Sequence, residues 1–128
     1  MAVGVARFDE DHKELFSHLS EIERALELRA FDDADRICRS LLALGAQHTA
    51  EEEAFLRGIA YPGVVTVLQA HQALQTECRR LQELINQKSE EAGAFVAALN
   101  GVLVSYLLRS DINFKSFVQE LRDLGRLK

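Results

Sequence analysis

A chain of 128 residues, 48% hydrophobic and 27% charged, is long enough for one folded domain and too short for a second core. Its formal net charge of −5, with no basic tail and no Lys/Arg cluster among aromatics, argues against a nucleic-acid or anionic-membrane partner. Cys38 and Cys78 are too few and too far apart for a disulfide scaffold, and there is no CxxC pair. The opening MAVGVARFDED lacks a basic segment followed by an apolar run, so no secretory signal is expected and a reducing cytoplasm is the expected compartment.

One proline and seven glycines leave few breaks, which favours long helices over many short strands. The first helix is predicted from about Asp9 to Arg29. His12, Leu15, Leu19, Ile22 and Leu26 step along it by three and four, and Asp9 or Asp11 can cap its start. After a break at Ala30 and Phe31, Asp32 caps a second helix that runs to about Arg57. Its stripe reads Ile37, Leu41, Leu44, His48, Glu52, Phe55, so two polar residues stand in register where apolar ones belong. Gly58 and the Tyr61-Pro62-Gly63 turn end it.

A third helix carries Val64, Val67, His71, Leu74, Cys78, Leu81 and Ile85 on one face. Gln87 to Ser89 form a polar turn, with Ser89 as cap for a fourth helix whose seam is Val96, Leu99, Leu103, Tyr106, Ser110, Phe117 and Leu121. The uncharged stretch Ala92 to Leu108 sits at the lower length limit for a membrane span. Asn100, Ser105 and two glycines interrupt it, so it reads as a buried helix. Four amphipathic helices joined by short turns imply an all-α fold, an antiparallel up-down-up-down four-helix bundle.

Three imidazoles and a carboxylate on seam positions are costly unless something satisfies them. His48 and Glu52 lie one turn apart on one face, near enough to share an ion. Two neutral imidazoles and one carboxylate form a set that iron or zinc accepts, with positions left open for a small molecule. His12, His48, Glu52 and His71 are therefore the candidate metal ligands.

These residues, in this order, resemble the hemerythrin family over nearly the whole chain. The segment from Phe8 to Phe16, with His12 inside it, looks like the family's first-helix motif. His48-Thr49-Ala50-Glu51-Glu52 looks like its second-helix HxxxE, and Tyr61-Pro62 followed by His71 like its third-helix approach. The resemblance breaks at three places. Val67 stands where the family has the first histidine of a third-helix pair. The fourth-helix pattern, an aromatic, a histidine four residues on and an aspartate five further, maps to Tyr106, Ser110 and Lys115.

Carried over residue by residue, the resemblance leaves one iron position with His12, His48 and Glu52, and the other with only His71 and a share of Glu52. It implies that the family's di-iron centre, with its reversible dioxygen binding, is not intact and that one ion, iron or zinc, can remain. Lys115 near the lost bridging position can pair with Glu52 in place of an ion or extend to solvent. Asp111 is the alternative substitute ligand.

Plainer readings stand beside these. His71 alone can be a hydrogen-bonded core histidine, His48 and Glu52 an intrahelical pair, and His12 a solvent-facing residue at a helix start. His18 leaves the seam and reads as structural or exposed. Cys78 is either a soft ligand or a small apolar group, Cys38 carries no special signal, and Glu51 and Glu53 read as solvated. On the fourth helix, Ala94 and Ala98, and Ala97 and Gly101, place small residues four apart on a face that a second copy of the chain can cover.

The expectation is thus a hemerythrin-like, non-enzymatic metal-binding or oxygen- or redox-sensing module with one ion and a small gaseous ligand such as dioxygen or nitric oxide. The alternative is a metal-free bundle that serves as an interaction or scaffold protein.

Overall fold

The computed structural model describes residues 6–125, with side chains described at 10–105, 116, 117 and 119–125. Four helices follow one another: α1 (Ala6–Glu27), α2 (Phe31–Gly58), α3 (Val64–Asn86) and α4 (Ala92–Asp123). No strand occurs among the described residues. The backbone of α1 packs on α2 and α4, and that of α3 on α2 and α4. None of the described helices is long and apolar enough to cross a membrane.

Each predicted helix is present, but its ends obey different chemistry from that expected. α1 begins at Ala6, which puts Asp9 and Asp11 inside the helix instead of at its cap. α2 begins after Ala30, which makes no side-chain capping bond, and Asp32 and Asp33 instead lie in the first turn. There their charges face the positive end of the helix dipole. Ser89 does contribute at the start of α4, where its Oγ accepts from the Glu91 N–H at 3.1 Å.

All three connections close in the same way. Arg29, Ala60 and Lys88 adopt positive φ, at 54°, 56° and 54°. The next residue's N–H then reaches back across the last turn: Ala30 to Ala25 O at 2.8 Å, Tyr61 to Leu56 O at 2.9 Å and Ser89 to Leu84 O at 3.0 Å. The positive-φ residues themselves donate to Leu26 O, Arg57 O and Ile85 O at 3.0 to 3.1 Å. This pair of bonds is the Schellman arrangement, which satisfies carbonyls that a helix end would otherwise orphan. Sequence punctuation pointed to Gly58 and Gly63 for the end of α2, yet the left-handed residue is Ala60.

The core is formed by the predicted stripes. Leu19 and Ile22 of α1, Leu41 of α2, Leu81 and Ile85 of α3, and Val96, Leu99 and Leu103 of α4 are buried in one cluster. Cys38 belongs to it too, fully buried, whereas its neighbour Ile37 is only partly so. The stripe of α2 is thus turned toward Ala34, Cys38 and Leu41, and Cys38 is a core residue. Its Sγ–H points at the Cys78 carbonyl oxygen, 3.6 Å away. Burial pushes the Cys38 thiol up to about 12 and the Cys78 thiol up to about 11, so both stay protonated and inert at neutral pH.

A smaller apolar cluster sits beside this core, with Leu56 buried among Phe55, Ile59, Tyr61, Val64 and Val67. On α4 the residues Gly93, Ala94, Ala97, Ala98, Gly101 and Val102 are exposed.

The connections yield a stability prediction. A non-glycine residue in the left-handed region carries a steric cost that glycine avoids. Ala60 is exposed, so Ala60→Gly removes no packing. It is expected to stabilise the fold by about 0.5–1 kcal/mol, read as a higher urea midpoint at unchanged m-value.

Candidate metal centre

α1 presents His12 from its second turn, α2 presents His48 and Glu52 one turn apart, and α3 presents His71. The three histidines are buried, at 5%, 4% and 7% exposure, and the Glu52 side chain retains 15%. Neutral imidazoles are tolerated at such depth, but a carboxylate is not unless positive charge or hydrogen-bond donors meet it.

His48 is at the centre. Its ring lies 5.3 Å from that of His12, edge to face, and 5.5 Å from that of His71. His48 Nδ1 donates to Asp11 Oδ2 at 2.8 Å, which fixes the tautomer and turns Nε2 toward Glu52. Nε2 then stands 2.6 Å from Glu52 Oε2, and that oxygen is buried without a partner at hydrogen-bond angles. Two electron-rich atoms at this separation repel unless a cation lies between them or one carries a proton.

The electrostatics follow from the same contacts. Burial alone would lower the His48 pKa, but Glu52 and then Asp11 outweigh it and hold the imidazole above the ordinary histidine value. Burial likewise would raise Glu52, yet His48, His71 and His12 together hold its carboxyl below the usual glutamate value. For His71 burial prevails: despite the pull of Glu52 the imidazole is lowered, so it stays neutral.

Of the four predicted ligands, three converge. One donor atom from each of His12, His48 and Glu52 lies within 4.8 Å of the others, close enough to hold one metal ion. His71 is brought to the same region, with Nε2 3.7 Å from Glu52 Oε2 and its ring 5.5 Å from that of His48, but is not one of the three converging donors. The donors are of the types an ion accepts, and they converge. Bonds of about 2.1 Å set adjacent ligand atoms about 3.0 Å apart around an octahedral ion and about 3.4 Å around a tetrahedral one. The 2.6 Å His48–Glu52 pair parts by less than about 1 Å to take one. The residues therefore fit a cation.

Asp11 is the participant that the sequence reading placed elsewhere, as a helix cap. It sits one turn before the seam residue Leu15, on the flank of the α1 stripe, and that register is the signal for a carboxylate able to reach a neighbouring helix. Its side chain is largely buried, with 17% exposed. Ligating histidines commonly donate their second nitrogen to such a carboxylate, which orients the ring and raises its basicity.

Around the centre the surroundings are uneven. Val67 lies in the apolar cluster with Leu56 and Tyr61, and the Tyr61 ring packs edge-on to Phe117 at 5.0 Å. On the other side His12, His48 and His71 border a half-open pocket of about 50 Å³, whose other described lining residues are mainly leucines such as Leu41, Leu99 and Leu103. Cys78 also lines this cavity, as a protonated thiol and not a member of the converging set. His18 donates Nδ1–H to Glu14 O at 2.7 Å on the exposed side, as a structural residue does. Glu53 pairs with Arg57 at 2.8 Å. The side chains of Tyr106, Ser110, Asp111 and Lys115 lie outside the described residues.

No curated protein matches the chain significantly. The family model of the hemerythrin HHE cation-binding domain matches residues 3–123, which is nearly all of it. The chain belongs to the hemerythrin HHE cation-binding domain family.

Proposed function

We propose that this chain is a non-enzymatic binding or sensing module that holds one metal ion, iron or zinc, through His12, His48 and Glu52. His71 stands beside them as the candidate fourth ligand, and the helices form an antiparallel up-down-up-down bundle. The observation that carries this reading is the convergence of three donor atoms within 4.8 Å. The packing of α1 and α3 each against α2 and α4, with short connections, supports the bundle.

Loss of the second metal position is part of the proposal. Valine has no donor atom, and Val67 packs among apolar side chains. A bound ion with three protein ligands keeps open positions and supplies a Lewis-acidic point, redox-active for iron, where dioxygen or nitric oxide can bind. The chain's own residues do the rest. Asp11 holds the Nδ1 proton of His48 and leaves Nε2 free of competing tautomers. Glu52 would offset the ion's charge, and leucines line the side on which a small ligand would lie.

A metal-free reading rests on the same contacts. A doubly protonated His48 clamped between Asp11 and Glu52 satisfies both carboxylates without an ion, and its raised pKa is consistent with that state. Metal analysis separates the two. Protein purified anaerobically without a histidine tag is expected to carry one iron or zinc per chain, lost in the His48→Ala, Glu52→Ala double variant. No metal after reconstitution, with unchanged thermal stability, would leave only an interaction or scaffold role.

The pH dependence has a definite sign. Metal uptake at His48 releases the proton held there by Glu52 and Asp11, so affinity falls as pH drops through the His48 pKa. Because that pKa is raised, the fall begins above about pH 6.5. Asp11→Ala is expected to weaken binding about 10- to 100-fold in alkaline buffer and to move the onset to lower pH. Chelator competition across the pH range measures both.

The uncharged outward face of α4 supports a homodimer through that helix. Sedimentation is then expected to give a dimer at micromolar concentration, and a monomer there removes the dimer from the reading.

A further inference from the structure

Gln75 and Gln82 of α3 both reach across to α2. Gln75 Nε2 donates to the Leu42 carbonyl at 3.2 Å, and Gln82 Nε2 to Asp35 Oδ1 at 3.4 Å. Their anchors differ. Asp35 offers a side chain that can follow Gln82, whereas the Leu42 carbonyl moves only with its helix. Gln75 therefore ties helix to helix, and it does so one turn beyond His71 in α3.

Gly45 provides the seat for this amide. A Cβ there would meet Gln75 Oε1 at 2.6 Å and Cδ at 3.3 Å, so any larger residue displaces the amide. Glycine is the poorest helix former after proline, yet Gly45 lies in the middle of the 28-residue α2, one turn before His48. The close approach of Gln75 accounts for it.

His71 stands at the next step of the same interface. Its Nε2 is 3.7 Å from Glu52 Oε2, and its ring lies 5.5 Å from that of His48. Adjacent ligand atoms on one ion are about 3.0–3.4 Å apart at bonds of about 2.1 Å. His71 is thus less than about 1 Å outside ligand spacing from Glu52. A site held about 1 Å too loosely fails, so the α2–α3 spacing here separates a ligand from a bystander.

We propose that Gln75, seated on Gly45 and anchored to the Leu42 carbonyl, is a positioning residue. It holds α3 close enough to α2 for His71 to become the fourth protein ligand of an ion at His12, His48 and Glu52. Without the tie α3 draws back and the ion keeps three protein ligands. The inference rests on the metal-site reading and names what completes it.

Cobalt(II) is the probe. Each imidazole bound to it through one nitrogen and protonated on the other gives one hyperfine-shifted, solvent-exchangeable N–H resonance in the NMR spectrum. The native protein is expected to show three, of which His71→Gln removes one. Gln75→Met keeps length and bulk but cannot donate, and Gly45→Ala displaces the amide while favouring the helix. Both are expected to lose the His71 resonance and about 10- to 100-fold in cobalt affinity. Gln82→Met removes a cross-helix bond of the same kind away from the centre and is expected to keep all three resonances.

A His71 resonance retained in Gln75→Met or in folded Gly45→Ala overturns the proposal. So does its loss in Gln82→Met, or its absence from the native protein. The metal-free chain supplies a second readout, the NOE between the His48 and His71 rings. If no form takes cobalt, an NOE weakened in Gln75→Met and Gly45→Ala alone keeps the spacing role and removes the metal reading. An unchanged NOE overturns both.

Discussion

The constraint on which the rest depends is the 2.6 Å approach of His48 Nε2 to Glu52 Oε2 inside the helical core. With Nδ1 committed to Asp11, Nε2 offers Glu52 a lone pair unless a second proton or a metal ion intervenes. A proton gives an imidazolium between two carboxylates; an ion gives a coordinate site. Both resolve the repulsion, and both require Asp11 on the far side of the ring. The raised His48 and lowered Glu52 pKa values express the proton solution, and the convergence of His12 on the same point makes the ion solution available.

This arrangement explains why polar side chains are tolerated on apolar stripes. A single buried carboxylate without positive charge or donors would be costly, and a removed partner would leave that cost uncompensated. Here three helices each bring one or more members of the network to the same depth. The positions of α1, α2 and α3 are therefore tied together by electrostatics as well as by packing. Farther along the same helices the contacts are simple apolar burial, with Leu19, Leu41 and Leu81 in one cluster.

Much of this was legible in the sequence. The three-and-four spacing of apolar residues located all four helices, and the polar residues set into those stripes, His12, His48, Glu52 and His71, are ones that the structure gathers in the core. What escaped was information that depends on angle. Cys38 was read as beside the stripe because Ile37 completed a regular pattern, whereas α2 is rotated so that Cys38 is fully buried. Asp11 was read as a cap because its chemistry suits helix starts, but α1 begins at Ala6 and places it inside the helix, facing His48. Arg29, Ala60 and Lys88 in the left-handed region have no sequence signature, because backbone closure selects the conformation and glycine is absent at all three.

The surroundings of the centre differ from one side to the other, and that difference bears on what it can do. Toward Val67 the described neighbours are Leu56, Phe55, Ile59, Val64 and Tyr61, a mainly apolar group. Toward Leu99 and Leu103 there is a cavity of about 50 Å³, room for a water or a small diatomic molecule. A symmetric two-ion centre divides its donors between both sides; here donors gather around His48 and open space lies on one side. Under the proposed reading, the valine at 67 that removes a ligand of the second ion also supplies an apolar backing to the first. A ligand on such an ion would then be bordered largely by leucines, so the selectivity of the site would rest on size and apolarity more than on hydrogen bonding.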